Sequence, residues 1–391
     1  MAIAVREVEN PDPALWNCRV ESVPEGTIHQ STHLANFHMV TGGGYRPQYL
    51  VAEDERGEVV GQLALLVGFF AAQEVVARPY LKGLMPLCAR AFGVYTWMQG
   101  PLVFAKERFA EVHQALLGEV DRRAKAGAYQ VRRATLPPYE DPALSLSGGE
   151  ALLKLGFVAQ PEATFHVDLR RSPELMWQQL KSSARKNLRK MLDEGRLVLS
   201  TIESPEDARC YWEMLVETQR RSRRFISYRS QAAFADKFWS APHQQGVMRG
   251  VLVRTQAGEA VAGLCFRCYN GWIHELGVAY TEFGTQNKLY GQDLIKWHLM
   301  GWGHAQGLRY YDLMGVEPKS TDAKKRAIFQ FKEKWGGVLV EFQSYTKGYS
   351  PWREAVVRLG TNLTRSLRQR SARPPRLAAS REERQVPLPP P

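Results

Sequence analysis

Apolar residues at three- and four-residue steps give the chain its clearest helix signal. Trp177, Leu180, Ala184, Leu188 and Met191 recur at the spacing that puts side chains on one helical face. Ser172 is placed to cap the first free N–H groups, Pro173 suits the first helical position, and Gly195 suits a left-handed stop. The pattern therefore predicts one helix over 172–195. The most apolar run, 63–72, is too short to span a bilayer and reads as a core strand.

Two echoes organise the rest. Residues 57–63 and 258–264 each follow an apolar strand (49–52 and 250–254), contain Gly-Glu, and open another strand, so each predicts a hairpin. Residues 125–131 and 305–311 each close a helix at a glycine and enter a strand. The order hairpin, then helix–Gly–strand, occurs twice, which predicts two α/β domains of one fold joined near Pro161. Helices are further predicted over 107–126, ending at Gly156, starting at Ser204-Pro205, and over 322–335 before Gly336-Gly337. Asn270-Gly271 between 265–269 and 272–276 is a tight-hairpin signal. From Arg370 onward Arg, Ser, Ala and Pro dominate, the composition of a disordered tail.

A chain of 391 residues exceeds one usual core, and its 44% hydrophobic and 24% charged residues are those of a globular protein. The formal net charge of +12 favours phosphate-bearing or membrane-surface partners. The opening residues carry acids where a secretory signal needs an apolar core. The expectation is a cytoplasmic protein that touches a membrane surface without crossing it. The five cysteines, Cys18, Cys88, Cys210, Cys265 and Cys268, are odd in number and scattered, which argues against a disulfide framework. Cys265 and Cys268 have CxxC spacing, but no second pair or nearby histidine pair completes a zinc site, and neither a metal nor a redox role is expected.

On the predicted helix, Lys181, Arg185, Lys186, Arg189 and Lys190 carry no acid among them. They read either as a docking surface for a polyanion or as a solvated face. No Ser-His-Asp order, HExxH or Walker loop is present. GNAT-type acetyltransferases cradle the coenzyme A pyrophosphate with a glycine-bearing turn that enters a helix. The corresponding stretch, 285–291, lacks those glycines, which disfavours an acyl-CoA enzyme.

Several pieces in order across 30–337 resemble one family. They are Gln30-Ser31, Gln99-Gly100-Pro101, the stretches 152–157 and 165–169, the basic run ending at Gly195, the run 305–315 with Tyr311-Asp312 and Gly315, and Phe331-Lys332-Glu333-Lys334-Trp335-Gly336-Gly337. Together they resemble the Fem family of peptidoglycan bridge aminoacyltransferases, which are tandem GNAT-like domains. The resemblance implies an α/β (α+β GNAT-like) fold, with a first domain over 1–160 completed by 337–368, a second over 161–336, and the tail at 369–391. It also implies a reaction that moves an amino acid from aminoacyl-tRNA to the stem peptide of a lipid-linked or nucleotide-linked peptidoglycan precursor, with no metal or bound cofactor.

By the same resemblance, Lys332 stabilises the reacting ester and Phe331 pairs with it. Arg224 and Tyr228 hold the precursor's phosphate and sugar; Tyr269, by its spacing alone, reads either as a further aromatic contact or as simple strand packing. His38 stands where the family often has lysine; it reads either as a precursor-binding residue that bonds a phosphate or acts as a base, or as a satisfied histidine like His29 and His33 nearby. The segment Arg132-Arg133-Ala134-Thr135 has no acid where relatives carry Asp, so no general base is assigned. Asp312 reads as a structural hydrogen-bonding residue. A coiled-coil insertion found in some relatives is missing after Gly195, which leaves Lys181, Arg185, Lys186, Arg189 and Lys190 as the tRNA contacts. The tail arginines, Arg358, Arg365, Arg368, Arg370, Arg373 and Arg376, suit anionic lipid. Two alternatives stay open: an acyl-CoA-dependent N-acyltransferase of the same fold, and a non-catalytic binder of RNA or anionic membrane.

Overall fold

The computed structural model describes residues 3–34, 45–69, 92–127, 129–221, 246–355 and 359. Among them, thirteen strands form one continuous sheet. Strands β1 (Ala4–Glu7), β2 (Arg46–Glu53), β3 (Val59–Phe69), β4 (Gly93–Trp97), β5 (Leu102–Val103) and β6 (Gln130–Thr135) make the first half. Strands β8 (Leu197–Thr201), β9 (Met248–Thr255), β10 (Ala260–Tyr269), β11 (Trp272–Tyr280) and β12 (Tyr310–Asp312) make the second. Between the halves lie β7 (Val158–Asp168) and β13 (Val338–Lys347).

The spatial order is β1-β2-β3-β4-β6-β13-β7-β12-β11-β10-β9-β8, with β5 beside β3. Read from either edge, this is four antiparallel-linked strands, then one parallel neighbour, then the central pair. The parallel joints are β4 with β6, where Val94 faces Gln130, and β11 with β12, where Trp272 faces Tyr310. The same architecture is thus built twice, and β13 sits between β6 and β7 while β7 sits between β13 and β12. The hairpins expected at 57–63 and 258–264 are present, with Gly57 at φ +77° and Gly258 at φ +90°. Asn270 and Gly271 turn β10 into β11 with φ of +45° and +79°, the conformation that favours Asn-Gly there.

Helices cover the sheet: α1 (Pro13–Glu21), α2 (Phe109–Gly127), α3 (Pro142–Lys154), α4 (Pro173–Gln179), α5 (Ser182–Glu194), α6 (Pro205–Arg221), α7 (Glu282–Gln286), α8 (Gly291–Ala305) and α9 (Ala323–Glu333). Helix α2 packs Val112, Leu116 and Leu117 into the first core with Leu63, Trp97 and Phe157. Helices α5 and α8 pack Leu188, Ile295 and Leu299 into the second core with Phe165, Tyr311 and Trp335. Asp322, Asp12 and Asp141 each cap a helix start with a side-chain oxygen. No described helix is long and apolar enough to cross a membrane.

The single helix expected over 172–195 is two. Leu180 and Lys181 are extended (φ −61°, ψ 140°; φ −63°, ψ 153°), and they separate α4 from α5. No Gly or Pro breaks the run; tertiary contacts do. Leu180 is driven into the second core, the Lys181 N–H donates to the Lys334 carbonyl at 3.0 Å, and the Arg185 guanidinium donates to the Gln178 carbonyl at 2.9 Å, closing the end of α4. Helix propensity is a weak prior that such contacts outweigh.

The halves also meet at the tip of the β10–β11 hairpin. The Asn270 amide donates to the carbonyls of Val23 (3.1 Å) and Gly26 (2.8 Å), and Arg309 donates to the Pro24 carbonyl at 2.8 Å. Tyr269 enters a core cluster with Trp16, Val20 and Tyr49 from the first half.

Candidate active site

The pieces singled out in the sequence converge on the midline of the sheet. Gln30 is fully buried. Its side-chain amide donates to the Met98 carbonyl at 2.8 Å, and its side-chain oxygen accepts from the Ala64 N–H at 2.9 Å, so it ties the 98–101 turn to β3. A Cβ on Gly100 would lie 2.4 Å from that amide nitrogen, so only glycine lets the turn close on Gln30. At the far end, Gly336 has φ +71°, and a Cβ there would lie 2.8 Å from the Gln179 carbonyl oxygen, which lets α9 abut α4.

A cavity of about 320 Å³ opens between the halves. The first half lines it with His29, Ser31, Trp97, Met98 and Arg133, and the second contributes Arg267 and Met314. Trp97 and Arg133 stand near the carboxyl ends of β4 and β6, the place in an α/β sheet where parallel strands part and leave a crevice.

Lys332 stands one residue back from this cavity, behind Met314. Its ammonium donates to the carbonyls of Met314 (2.9 Å) and Gly315 (3.0 Å), so a cation is fixed against the loop that forms one cavity wall. Met314 is held in turn. It adopts φ +65°, and its N–H donates to Asp312 Oδ1 at 2.7 Å. Asp312 also accepts from the Thr164 hydroxyl at 2.5 Å and has His166 Nε2 at 3.8 Å and His274 Nε2 at 4.0 Å. The expected structural role of Asp312 is thereby specified: it holds the turn that holds Lys332.

Burial alone would raise the Asp312 carboxyl, but hydrogen bonding from His166, the two nearby imidazoles and the Thr164 hydroxyl outweigh it and keep its pKa below the usual range. Burial pulls the His274 imidazole down to about 4, against the raising effect of Asp312, and pulls His113 of α2 down to about 4 as well. These two side chains protonate more readily when the chain is unfolded, where an imidazole titrates near 6.5. Their contribution to stability is complete above that pH and is lost as pH falls from 6.5 toward 4. Urea midpoints should therefore be flat above about pH 7 and fall across that window; a midpoint unchanged down to pH 4.5 would contradict the burial of both rings.

Phe331 is half-buried, edge-on to Trp335 with ring centroids 6.3 Å apart, and the Lys334 ammonium sits 4.4 Å from its ring centre. Lys334 forms a buried ion pair with Asp293 at 2.7 Å, and Asn187 of α5 donates to the same carboxylate at 2.8 Å. One carboxylate in the first turn of α8 thus fastens α5 and α9 together. At the start of α8 no side chain caps the free N–H groups, and the close packing of Gly291 on Ala262, where a Cβ would meet another at 2.7 Å, seats that end of the helix on β10. Deeper in this half, fully buried Lys296 lies 2.6 Å from Glu275, which also accepts from the Tyr311 hydroxyl at 2.6 Å.

The other expected site residues fall in several places. Tyr269 is buried, donates to the Asn17 carbonyl at 3.4 Å and packs edge-on to His33. Arg224, Tyr228 and His38 lie outside the described residues, as do Cys88, Arg358 and the tail 369–391. Cations of the basic run have partners within the fold. Lys181 pairs with Glu333 at 2.5 Å, Arg185 closes α4, Lys190 is 3.9 Å from Glu194, and Arg189 lies over the Trp177 ring at 5.8 Å. Lys186 and Arg189 line an open groove of about 470 Å³ with Ser182 and Ser183 at the start of α5. Cys265 is buried in β10 with its thiol pKa pushed up by burial, and among the described residues no group of His, Cys, Asp and Glu could hold a metal ion. Sequence reasoning did not find Arg267, Met314, Asp293 or Lys334 as site-building residues; the cavity and the Asp293–Lys334 pair join segments distant along the chain.

Residues 178–332 match the family model described as the acetyltransferase (GNAT) domain. No curated protein matches the sequence. Among solved structures, FemX is similar over 90% of this chain and 99% of its own, at 16% identity and a TM-score of 0.67. L-PGS from Bacillus licheniformis is similar over 90% and 98%, at 15% identity and a TM-score of 0.51. The C-terminal domain of a putative lysylphosphatidylglycerol synthetase from Agrobacterium fabrum is similar over 90% and 97%, at 14% identity and a TM-score of 0.50. The chain has the α/β tandem GNAT-like fold. In that fold it is similar to FemX, as the Fem resemblance in the sequence implied.

Proposed function

We propose that this protein is an aminoacyltransferase that moves an amino acid from aminoacyl-tRNA to the stem-peptide amine of a peptidoglycan precursor. The observation that carries the reading is the Lys332 ammonium, fixed by two backbone carbonyls one residue back from a cavity lined from both halves. In ester aminolysis, a neutral amine attacks the ester carbonyl and negative charge develops on the carbonyl oxygen. A positioned cation in a partly dry site stabilises that charge, and holding amine and ester side by side removes most of the entropic barrier. The ester is already activated by its attachment to tRNA, so the step calls for no metal or redox group.

Lys186, Arg189 and Lys190 are exposed on α5 and suit the sugar-phosphate backbone of the tRNA, with binding that weakens as salt rises. The acceptor is lipid-linked or nucleotide-linked, and the protein works at the inner face of the membrane. In this reading residues 1–160 with 337–368 form one GNAT-like unit and 161–336 the other. The test is direct: purified protein, charged tRNA and precursor, followed by mass analysis. Precursor-dependent deacylation with a matching mass gain on the precursor is expected, and no transfer from any charged tRNA would refute the reading. Stabilisation by coenzyme A, with acyl transfer from an acyl-CoA, would favour the N-acyltransferase instead.

A further inference from the structure

We propose that the apolar stripe beginning with Trp352 and Leu359 seats this protein on the surface of an anionic bilayer. The inference rests on the reading above for placing the enzyme at the membrane, and it names the surface that holds it there. Residues 351–355 are helical, and so is Leu359. Trp352 is 59% exposed and Leu359 is 69% exposed, so the described fold leaves both side chains largely in water. Seven residues apart, they share one helical face.

The root of this stripe is fixed to the first half. The Tyr349 hydroxyl donates to Asp121 Oδ1 of α2 at 2.5 Å, and the Arg353 guanidinium donates to the Gly127 carbonyl at the end of α2 at 3.2 Å. Trp352 therefore stands on a firm base, with the Arg353 guanidinium 5.3 Å from its ring centre. An exposed tryptophan beside an arginine suits the headgroup level of a membrane, where the ring meets acyl chains and the cation meets phosphates.

By sequence spacing the stripe continues. Val356, Leu359, Leu363 and Leu367 follow Trp352 at three- and four-residue steps and fall within about a quarter of a helical circumference. Arg358, Arg365 and Arg368 fall on the other side of the same wheel. From 355 to 381 there are seven arginines and no acid. An apolar stripe alone would suit a protein partner, and arginines alone would suit RNA. The two on opposite sides of one segment suit an anionic lipid surface, because apolar burial and attraction to lipid phosphates then add.

The experiment floats the full chain with phosphatidylcholine vesicles made with or without phosphatidylglycerol. Binding is expected only where phosphatidylglycerol is present, and it should weaken as salt rises. Leu359→Ser with Leu363→Ser should lower binding about tenfold or more through lost apolar burial, and Arg365→Gln with Arg368→Gln about tenfold. The leucine variant should keep the wild-type circular dichroism and the wild-type rate on a soluble, nucleotide-linked acceptor. Equal binding to both kinds of vesicle, or binding to neither, overturns the proposal. A leucine variant that binds vesicles as wild type does also overturns it, and loss of tRNA binding in the arginine variant would then assign those cations to RNA. A wild-type dimer in light scattering that the leucine variant turns into a monomer overturns it too, since a second copy would cover the stripe. Vesicle binding without transfer to any acceptor leaves this surface standing and refutes the transfer reading. Transfer to a soluble acceptor without vesicle binding does the reverse.

Discussion

Lys332→Met should lower kcat for transfer about 10²- to 10³-fold, the loss seen when one positioned donor to a developing oxyanion is removed. The variant should remain folded. Its two acceptors belong to Gly315, which is exposed, and Met314, which is half-buried, so water replaces the ammonium at a cost of about 1 kcal/mol or less. Binding of charged tRNA should persist, because the exposed cations of α5 are untouched. Lys332→Arg should recover only part of the rate, since a planar guanidinium cannot place charge where a tetrahedral ammonium does. A Lys332→Met enzyme with wild-type kcat would remove the assignment, and one that has simply unfolded would show it in circular dichroism.

Asp293→Ala is the change expected to cost most stability. It strands the Lys334 ammonium, only 12% exposed, between the rings of Phe331 and Trp335. Breaking a buried pair by removing one partner costs about 3–5 kcal/mol, most of it the penalty of the charge left behind. The Asn187 amide loses its acceptor too. Replacing both partners, Asp293→Leu with Lys334→Met, should regain much of that loss, because the desolvation cost goes with the charges. Urea unfolding of the single and double variants tests this; a single variant within 1 kcal/mol of wild type would mean that the pair is well hydrated. The single variant should also lose activity, since the residue before Lys334 is Glu333 and the one before that is Lys332.

What the sequence disclosed follows from the range over which each feature is determined. Hairpins at Gly57, Gly258 and Asn270-Gly271 were legible because positive φ is a local demand that few residues meet. Helix starts at Ser172 and Asp322 were legible for a like reason, since the cap and its N–H partner lie three residues apart. The break at Leu180-Lys181 was not legible, because the Lys334 carbonyl that holds Lys181 lies far along the chain. The cavity was not legible either. Arg133, Arg267 and Met314 come from separate strands and a loop, and nothing in any local window marks them. Asp293 in its own helix looks like an ordinary dipole partner at a first turn, and only the fold brings Lys334 to it. Lys332 was reached through motif resemblance, while its carbonyl partners became known only from the fold.

The late position of β13 in the chain bears on how the molecule is made. Ser344 pairs with Thr135 and with Gln160, so the seam between the halves stays open until residues 338–347 have left the ribosome. Until then β6 and β7 are naked borders of two unfinished sheets, the kind of surface that recruits other nascent chains. A fragment cut at 178–332 would never gain that seam, because it contains neither β7 nor β13. Premature termination anywhere before 338 should accordingly yield aggregates, with no soluble half-enzyme released.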